Sequence, residues 1–361
     1  MSGWRSRPEA GEAGPASDQV RVAVVGATGA VGRVMLETLH ARSFPASEVV
    51  PFASARSAGD ELQTPFGPLT VRPLTDDGVA GFDIALFSAG SGPSREWAPR
   101  FAAGGAVVVD NSSCWRMDPQ VPLVVAEVNP EAIDAHKGIV ANPNCTTMVM
   151  VVALKPLHDE AQIERLVLSS YQAVSGTGVK AVQELEAQAR AVLAGEAPPA
   201  PAVYPHRIAF NVLPQVESFS GGDDYTTEER KVMAETRKIL GEPELRVTAT
   251  CARVPVMTGH SESLNLQTVH DLPPERAREV LAAAPGVTVV DDPASGGYPL
   301  AIDAAGRDEV LVGRIRRDPS NERTLNLWVV GDNLRKGAAL NAVQLAELLH
   351  ERGLVGTSAR A

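Results

Sequence analysis

Cys145 is the residue of this sequence best placed for nucleophilic chemistry. The segment NPNCTTMVMVVALKPLH puts it at the start of an apolar helix, directly after an Asn-Pro-Asn turn. A thiol at a helix N-terminus feels a partial positive charge, which lowers its pKa and stabilises the reactive thiolate. Cys114 and Cys251 have no such setting, and we interpret them as packing residues. The sequence therefore predicts covalent catalysis by Cys145.

A thiolate that attacks a carbonyl carbon needs a proton donor and acceptor nearby. His260 lies in RVPVMTGHSES, in a polar turn between two strand candidates. A lone histidine is more often structural, so this pattern alone leaves both interpretations open. Arg253, seven residues earlier, could reach the same cleft and hold a substrate carboxylate in bidentate geometry.

Three glycines after the first strand candidate predict a nucleotide site. Gly26, Gly29 and Gly32 in VVGATGAVG precede a helical pattern, so backbone N–H groups and the positive helix end can receive a pyrophosphate. The spacing G-x-x-G-x-x-G departs from the usual G-x-G-x-x-G, and a tight turn without a ligand is the simpler alternative. The strand before the glycines and the helix after them favour nucleotide binding.

The end of the second strand candidate indicates which nucleotide is bound. An NAD site usually carries an acidic residue there for the ribose hydroxyls, but this sequence has Ser54, Arg56 and Ser57. A guanidinium beside hydroxyls suits a 2′-phosphate. We therefore predict NADP as the cofactor, the alternative being that Arg56 is a solvated surface cation.

The order of the strand and helix candidates predicts an α/β fold with two domains. From Arg21, short β-branched runs alternate with helical patterns, which is typical of a Rossmann-type, doubly wound parallel sheet. After Cys145 the strand candidates are longer, which indicates an α+β domain with a mixed sheet. The predicted divisions are a disordered tail at 1–18, an NADP-binding domain at 19–144, a catalytic domain at 145–332 and a C-terminal helix at 333–361 that packs back on the first domain.

Composition excludes several classes of function. The 361 residues include 33 Lys plus Arg and 44 Asp plus Glu, a net charge of -11, which lacks the basic surface that nucleic-acid binding needs. Three cysteines cannot all pair and show no metal-ligand spacing, so we expect neither a disulfide framework nor a metal site. With no long apolar run, we expect no membrane association and a cytoplasmic location.

Eight motifs, in order along nearly the whole chain from about Val20, resemble the aspartate-semialdehyde dehydrogenase family. They are GATGAVG, ASARSAG, DNSSCWRMD, NPNCTT, SSYQAVSGTG, TEERK, RVPVMTGHS and GDNLRKGAA. Each motif is short, but the ordered set is specific. The sequence departs from the family at its N-terminal tail and at Cys114 within the NSS-x-x-R motif.

The resemblance implies roles for individual residues. The implied catalytic residues are Cys145 as the thioester nucleophile, His260 as the acid/base and Gln172 as an orienting group. The implied substrate site has Arg253 on the carboxylate and Arg116 and Lys231 on phosphate, together with Glu228 and Asn144. Without the resemblance, Glu228 and Lys231 would suggest a solvated helix face. The predicted cofactor-binding residues are Gly26, Thr28, Gly29, Ala30, Val31, Ser54, Arg56, Ser57, Ser175, Gly176 and Asn333.

The implied activity is the NADPH-dependent conversion of L-4-aspartyl phosphate to L-aspartate 4-semialdehyde and phosphate, in the biosynthesis of lysine, threonine, methionine and diaminopimelate. The resemblance also implies a homodimer formed through the second domain. One alternative is N-acetyl-γ-glutamyl-phosphate reductase, which shares the fold plan and a cysteine thioester. The NPNC context and the ASARSAG loop argue against it. A second alternative is a non-catalytic NADP-binding sensor, which the intact set of candidate catalytic residues makes the weaker hypothesis.

Overall fold

The computed structural model describes residues 19–355, so the predicted tail at 1–18 lies outside the described residues. Two six-stranded sheets and a two-stranded hairpin organise this part of the chain. None of the helices in residues 19–355 is long and apolar enough to cross a membrane.

The first sheet is parallel and is built from the N-terminal part of the chain. Its elements, with the hairpin β3–β4, are β1 (Val20–Val25), α1 (Ala30–Ala41), β2 (Ala46–Ala53), β3 (Glu61–Thr64), β4 (Gly67–Thr70), β5 (Arg72–Pro73), β6 (Ile84–Phe87), α2 (Ser91–Ala103), β7 (Val107–Asp110) and β8 (Ile139–Ala141). The strand order is β5-β2-β1-β6-β7-β8. All four residues of β6 and of β7 are buried, as expected for strands with helices on both faces.

The glycine turn lies where the strand order reverses, between β1 and β6. In open α/β sheets this switch point is where ligands bind. Gly26 has a φ of +86°, and a Cβ there would lie 2.5 Å from the carbonyl oxygen of Ser88. At Gly32 a Cβ would lie 2.2 Å from the carbonyl oxygen of Gly26, so α1 packs too closely on the turn for any side chain. The first and third glycines are thus required by backbone geometry.

The second sheet is mixed, as predicted, and the fold class is confirmed. Its elements are α3 (Cys145–Ala161), β9 (Ile163–Gln172), α4 (Val179–Leu193), α5 (Thr227–Leu240), β10 (Arg246–Arg253), β11 (His260–Thr268), α6 (Pro274–Ala283), β12 (Val287–Val289), α7 (Ala301–Ala304), β13 (Val310–Arg317) and β14 (Thr324–Gly331). The strand order is β10-β9-β11-β14-β13-β12. In β11 every second residue is buried, because one face of the sheet packs against α3 and the other does not.

A π-helical turn at Arg335–Ala339 leads into α8 (Leu340–Glu351). The apolar side of α8 packs in one core with α1 and the first sheet, through residues such as Val343 and Leu349. The Asn341 side chain also donates to the carbonyl of Val124 at 2.9 Å. The last described segment therefore returns from the second sheet to the first.

Glu262 in β11 is a buried carboxyl group that carries a folding penalty. It is fully buried, and neither of its oxygens has a hydrogen-bond partner among residues 19–355. Burial raises the pKa of this carboxyl well above its usual range. In the unfolded chain the group regains an ordinary pKa of about 4.3.

We predict that Glu262→Gln stabilises the fold more as the pH rises. When the pKa of a carboxyl group is higher in the folded state than in the unfolded state, the group does not change stability at pH values below the unfolded pKa. Above that pH it lowers the free energy of unfolding progressively until the pH reaches the folded pKa. Glutamine cannot ionise, so its gain in free energy of unfolding over the wild type should be larger at pH 8 than at pH 5 in urea titrations. Glu309→Gln, at an exposed position, is the control. A gain that does not change with pH would mean that Glu262 has the same pKa in both states.

Candidate active site

Three of the residues singled out in the sequence lie side by side at one end of the neighbouring strands β10, β9 and β11, where they form a cross-strand row. Arg253 ends β10 and pairs with Gln172, which ends the parallel strand β9. His260 begins β11, and the antiparallel register Ser261↔Tyr171 sets it opposite Gln172. All three side chains are buried on the face that carries α3. Strand register therefore aligns them, although the sequence separates them by up to 88 positions.

The first turn of α3 places Cys145 against this row. The side chain of Asn144 caps the helix by accepting from the backbone N–H of Thr147 at 3.1 Å. The Sγ of Cys145 lies 3.3 Å from Nε2 of His260. The helix passes close to the sheet because Gly331 has no side chain, and a Cβ there would lie 2.7 Å from a methyl group of Val149. The predicted nucleophile and acid/base residue are therefore in contact.

The expected low pKa of the Cys145 thiol is wrong for the protein without ligands. Burial and the nearby Glu228 carboxylate raise the pKa of this thiol to about 12. The helix start acts in the expected direction, since the backbone N–H of Thr146 lowers the pKa, but burial is the larger effect. The thiol is thus protonated at neutral pH.

His260 is held as a neutral imidazole. Burial, and then the Arg253 cation, lower its pKa well below the usual range. Its Nδ1 accepts a hydrogen bond from the backbone N–H of Ala173 at 3.1 Å. In a neutral ring this assigns the hydrogen to Nε2, the nitrogen that faces the sulfur. His260 is therefore arranged to stabilise negative charge on sulfur or on a nearby oxygen.

One face of α5 supplies the acidic and basic groups opposite the thiol. A capping box between Thr226 and Glu229 fixes the helix start. In the same first turn, Oε1 of Glu228 accepts from Asn144 at 2.9 Å and from Gln172 at 3.1 Å. Lys231, three residues later, lies 3.6 Å from the other Glu228 oxygen and also forms an ion pair with Glu217. Glu228 and Lys231 of the TEERK motif therefore face the site and not the solvent.

Glu235 continues the same helical face and is not among the residues predicted from the sequence. This buried carboxylate accepts from Nη1 of Arg116 at 3.1 Å and from the backbone N–H of Asn144 at 2.7 Å. The guanidinium of Arg116 also donates to the carbonyls of Asn142 and Asn111. Three of its five N–H groups are thus used by the protein, which leaves two for a bound anion. The spacing of Glu228, Lys231 and Glu235 at i, i+3 and i+7 could have revealed the third residue.

Arg253 lies at the same end of the second sheet and has a donor that the protein does not use. Its Nη1 donates to the carbonyl of Ala173 at 2.8 Å, but its buried Nε has no hydrogen-bond partner among the described residues. The ring of Tyr204 lies 5.9 Å from the guanidinium carbon, and its hydroxyl donates to Thr177 at 3.0 Å. Tyr204 follows a Pro/Ala-rich loop, and that composition gives no signal of a site. A buried cation with a free donor is suited to a carboxylate ligand.

Most of these groups, though not His260 or Glu235, line a cavity of about 560 Å³ that reaches from the thiol to the first sheet. Its lining includes Val31, Ser88, Gly90, Asn111, Arg116, Asn144, Cys145, Gln172, Ser175, Gly176, Tyr204, Glu228, Lys231, Arg253 and Asn333. The side chain of Asn333 is fixed by Ser175 at 2.9 Å and by the backbone N–H of Gly259 at 2.9 Å. The two sheets thus share one ligand-sized space.

The other predicted cofactor residues lie at the carboxyl ends of β1 and β2, outside the lining of this cavity. Val25 pairs with Phe52, and Gly26 donates to the Phe52 carbonyl at 2.8 Å, which brings the glycine turn beside the segment that follows β2. The first segment carries Thr28, Gly29 and Ala30, and the second carries Ser54, Arg56 and Ser57. Arg56 is exposed and contacts no other described residue through a hydrogen bond or ion pair.

Models of the semialdehyde dehydrogenase family match most of the chain. The model of the NAD binding domain matches residues 21–136, and the model of the dimerisation domain matches residues 154–336. An aspartate-semialdehyde dehydrogenase from Aquifex aeolicus is 55% identical over 338 residues, which is 93% of this chain and 99% of the relative. The chain belongs to the aspartate-semialdehyde dehydrogenase family.

Solved structures of family members share the fold. The aspartate semialdehyde dehydrogenase II from Vibrio cholerae complexed with ASA has a TM-score of 0.89 and 44% identity, covering 92% of this chain and 98% of that one. The enzyme with NADP from Candida albicans has a TM-score of 0.73 and 25% identity, covering 93% and 99%. The family resemblance of the eight sequence motifs is therefore confirmed.

The two remaining cysteines lie elsewhere. Cys251 is fully buried in β10, where burial raises the pKa of its thiol. Cys114 is partly buried, and its backbone N–H donates to Ser112 at 3.2 Å. Neither thiol lines the shared cavity.

We predict that alkylation of Cys145 by iodoacetamide in the ligand-free protein accelerates steadily with pH. With a pKa of about 12, the thiolate fraction should rise about tenfold per pH unit between pH 7 and pH 9 without levelling off. Peptide mass spectrometry would measure the rate at Cys145, and Cys145→Ala would give the background from Cys114. A rate that levels off below pH 8 would mean that the free protein already holds a thiolate.

Proposed function

We propose that Cys145 carries the acyl group as a thioester while L-4-aspartyl phosphate is converted to L-aspartate 4-semialdehyde and phosphate. The observation that supports this most directly is the 3.3 Å contact between the thiol and His260, in a cavity where Arg253 has a free donor. The family membership fixes the class of enzyme, a phosphorylating aldehyde dehydrogenase of amino-acid biosynthesis. The product would serve lysine, threonine, methionine and diaminopimelate synthesis.

The thiol attacks the acyl carbon and displaces phosphate. The carbon–sulfur bond forms, the carbon–oxygen bond to phosphate breaks, and the thiol proton leaves with the departing phosphate. Arg116, with two free N–H groups, and Lys231, at the cavity wall, hold that phosphate. The positive charge of Arg116 also offsets the carboxylate of Glu228, which helps the thiol to lose its proton.

Reduction and release follow at the same sulfur. NADPH supplies a hydride to the thioester carbon when it is bound. The Nε2–H of His260, which faces the sulfur, shares its proton with the oxygen of the resulting thiohemiacetal, and the proton returns fully to Nε2 as the carbon–sulfur bond breaks. The ring thus ends as the neutral imidazole it was at the start, and the released thiolate regains its proton from solvent. The backbone N–H groups at the start of α3 stabilise the negative oxygen in between.

Two contacts orient the acyl group. Gln172 is held by Glu228 at 3.1 Å and by Ser170 at 3.2 Å, so its amide has a fixed direction beside the thiol. Arg253 binds the substrate carboxylate through Nε and the remaining hydrogens of its guanidinium. Glu228 and Asn144 complete the substrate site. A substrate longer by one methylene would move its reacting carbon away from Cys145.

The cofactor is NADP, and the residues present fit it. Gly26 has no side chain, so a pyrophosphate can come close to the backbone at the N-terminus of α1. Ser54, Arg56 and Ser57 offer two hydroxyls and an unpaired guanidinium for the 2′-phosphate. Ser175, Gly176 and Asn333 line the cavity near Cys145 and receive the nicotinamide.

The protein assembles as a homodimer in this proposal. The match to a dimerisation domain at 154–336 supports it. So does the face of the second sheet that α3 does not cover, where Tyr298 and Leu300 are about two-fifths exposed. The net charge of -11 and three free cysteines support a location in the cytoplasm and small molecules as the other partners.

The experiment that tests this function measures NADPH formation from L-aspartate 4-semialdehyde, NADP and phosphate. Parallel reactions with N-acetyl-glutamate 5-semialdehyde test the reductase alternative. Turnover with the first substrate that requires phosphate supports the proposal. Faster turnover with the second would overturn it, and NADP binding without any turnover would favour a sensor.

We predict that Arg56→Ala weakens NADP binding by about 1.5 to 3 kcal/mol and leaves NAD binding nearly unchanged, because only NADP carries a charged 2′-phosphate for this guanidinium. Calorimetric titration with both cofactors would measure the two dissociation constants. Arg317→Ala removes an exposed cation from β13 and serves as the control. Equal losses of binding free energy for NADP and NAD would show that Arg56 supports the loop and does not contact the 2′-phosphate.

We predict that Arg116→Ala and Lys231→Ala each raise the KM for phosphate strongly, because each removes a charge-assisted contact to a dianion. In the oxidative direction hydride transfer precedes phosphate attack. A rapid burst of about one NADPH per active site should therefore survive in both variants while steady turnover falls. Stopped-flow absorbance would separate the two phases.

The same cations help to place the substrate, so a slower burst is compatible with this assignment. Arg276→Ala, which removes an exposed cation in α6, is the control. Wild-type turnover that stays fast without phosphate or arsenate would contradict the role of these residues, because water would then release the acyl group.

A further inference from the structure

A π-helical turn packs directly behind the nucleophile. The turn at Arg335–Ala339 is closed by hydrogen bonds five residues apart, from Gly337 to the carbonyl of Asp332 and from Ala339 to that of Leu334, both at 3.0 Å. A Cβ on Gly337 would lie 3.0 Å from the Cβ of Cys145 and 3.4 Å from its Cα. Single π-turns are uncommon and often occur at functional sites. The nucleophile therefore stands against the backbone of this turn.

Lys336, the residue before Gly337, is fully buried. Its ammonium group forms an ion pair with Glu127 and donates to Asn341 at 3.0 Å and to Gln344 at 2.8 Å. All three of its donors are used, so it has none left for a substrate. A buried lysine is costly unless it is paired, and none of the catalytic steps described above uses this one.

The opposite side of the π-turn is bonded to the turn that precedes Cys145. Asn142 donates to the carbonyl of Ala338 at 3.0 Å and accepts from Asn341 at 2.6 Å. Asn142 is three residues before Cys145, and its own carbonyl accepts from Arg116. The ammonium group of Lys336 and the turn before the nucleophile are thus linked through Asn341.

We propose that Lys336 is a positioning residue for the reaction assigned to Cys145, and that its pair with Glu127 holds the π-turn so that Gly337 forms a fixed wall behind the thiol. This proposal rests on the proposed function for its kinetic consequence. The wall determines how far Cys145 can retreat from His260 and from the cavity. A displacement of about 1 Å at a reacting group can reduce a rate by roughly 100-fold.

Two variants test the wall and the ion pair separately. Gly337→Ala adds a methyl group 3.0 Å from the Cβ of Cys145, a contact tight enough to move Cys145 or the π-turn by a few tenths of an ångström. The double variant Lys336→Met with Glu127→Gln removes both charges together and leaves no unpaired ion in the core. The control is Arg42→Met with Glu347→Gln, which removes an ion pair that joins α8 to the residue after α1, away from the cavity.

We expect kcat to fall by about 10- to 100-fold in both test variants, while the dissociation constant for NADP and the KM for phosphate change by less than about threefold. The alkylation rate of Cys145 should change in both variants and stay at the wild-type value in the control. Urea unfolding of all three proteins would show whether they are equally folded under assay conditions.

The proposal is overturned if both test variants keep kcat within about twofold of the wild type, or if kcat falls only as much as in a control of equal stability. If the double variant does not fold, Gly337→Ala and the larger Gly337→Ser decide the question alone. Alkylation needs no substrate, so its rate still reports the geometry of Cys145 if the wild type lacks the proposed turnover. Failure of the proposed function and failure of this inference therefore give different results.

Discussion

The contact between Cys145 and His260 depends on one constraint, which is the close packing of α3 on the second sheet. Residues Met148 to Leu154 are almost completely buried, so the helix cannot slide or rotate without opening the core. Three residues separate its first residue from β8 of the first sheet, and the side chain of that residue meets the first residue of β11. The nucleophile is thus fixed where the two sheets meet. The cavity extends from it towards the first sheet, and the row of Arg253, Gln172 and His260 lies on the side of the second sheet.

Burial that positions the thiol also suppresses its reactivity. The free protein holds a thiol with a pKa of about 12 beside a neutral imidazole, and Glu228 opposes ionisation further. The cations around the thiol already form ion pairs, Arg116 with Glu235 and Lys231 with Glu217 and Glu228. A bound acyl phosphate is itself an anion, so it does not make the thiol easier to ionise before the reaction. In the proposed mechanism the thiol proton instead passes to the departing phosphate as the carbon–sulfur bond forms.

Much of the fold and part of the site could be predicted from local sequence patterns. The NPNC turn before an apolar run was enough to place Cys145 at a helix start, and the glycine spacing placed the switch-point turn. The row of Arg253, Gln172 and His260 needed the register of three strands, which no local pattern contains. Lys336 lies in a stretch whose apolar neighbours suggest an ordinary amphipathic helix, so neither its complete burial nor the π-turn was visible. The thiol pKa was misjudged because burial depth is a tertiary property.

The most direct test of a thioester on Cys145 is to trap it. The protein would be mixed with aspartate semialdehyde and NADP without phosphate, quenched in acid, digested and analysed by mass spectrometry. The account predicts an aspartyl adduct on the Cys145 peptide in roughly one-to-one ratio with the NADPH formed, and its rapid loss when phosphate is added before the quench. NADPH formed without any adduct, or an adduct on Cys114 or Cys251, would contradict it.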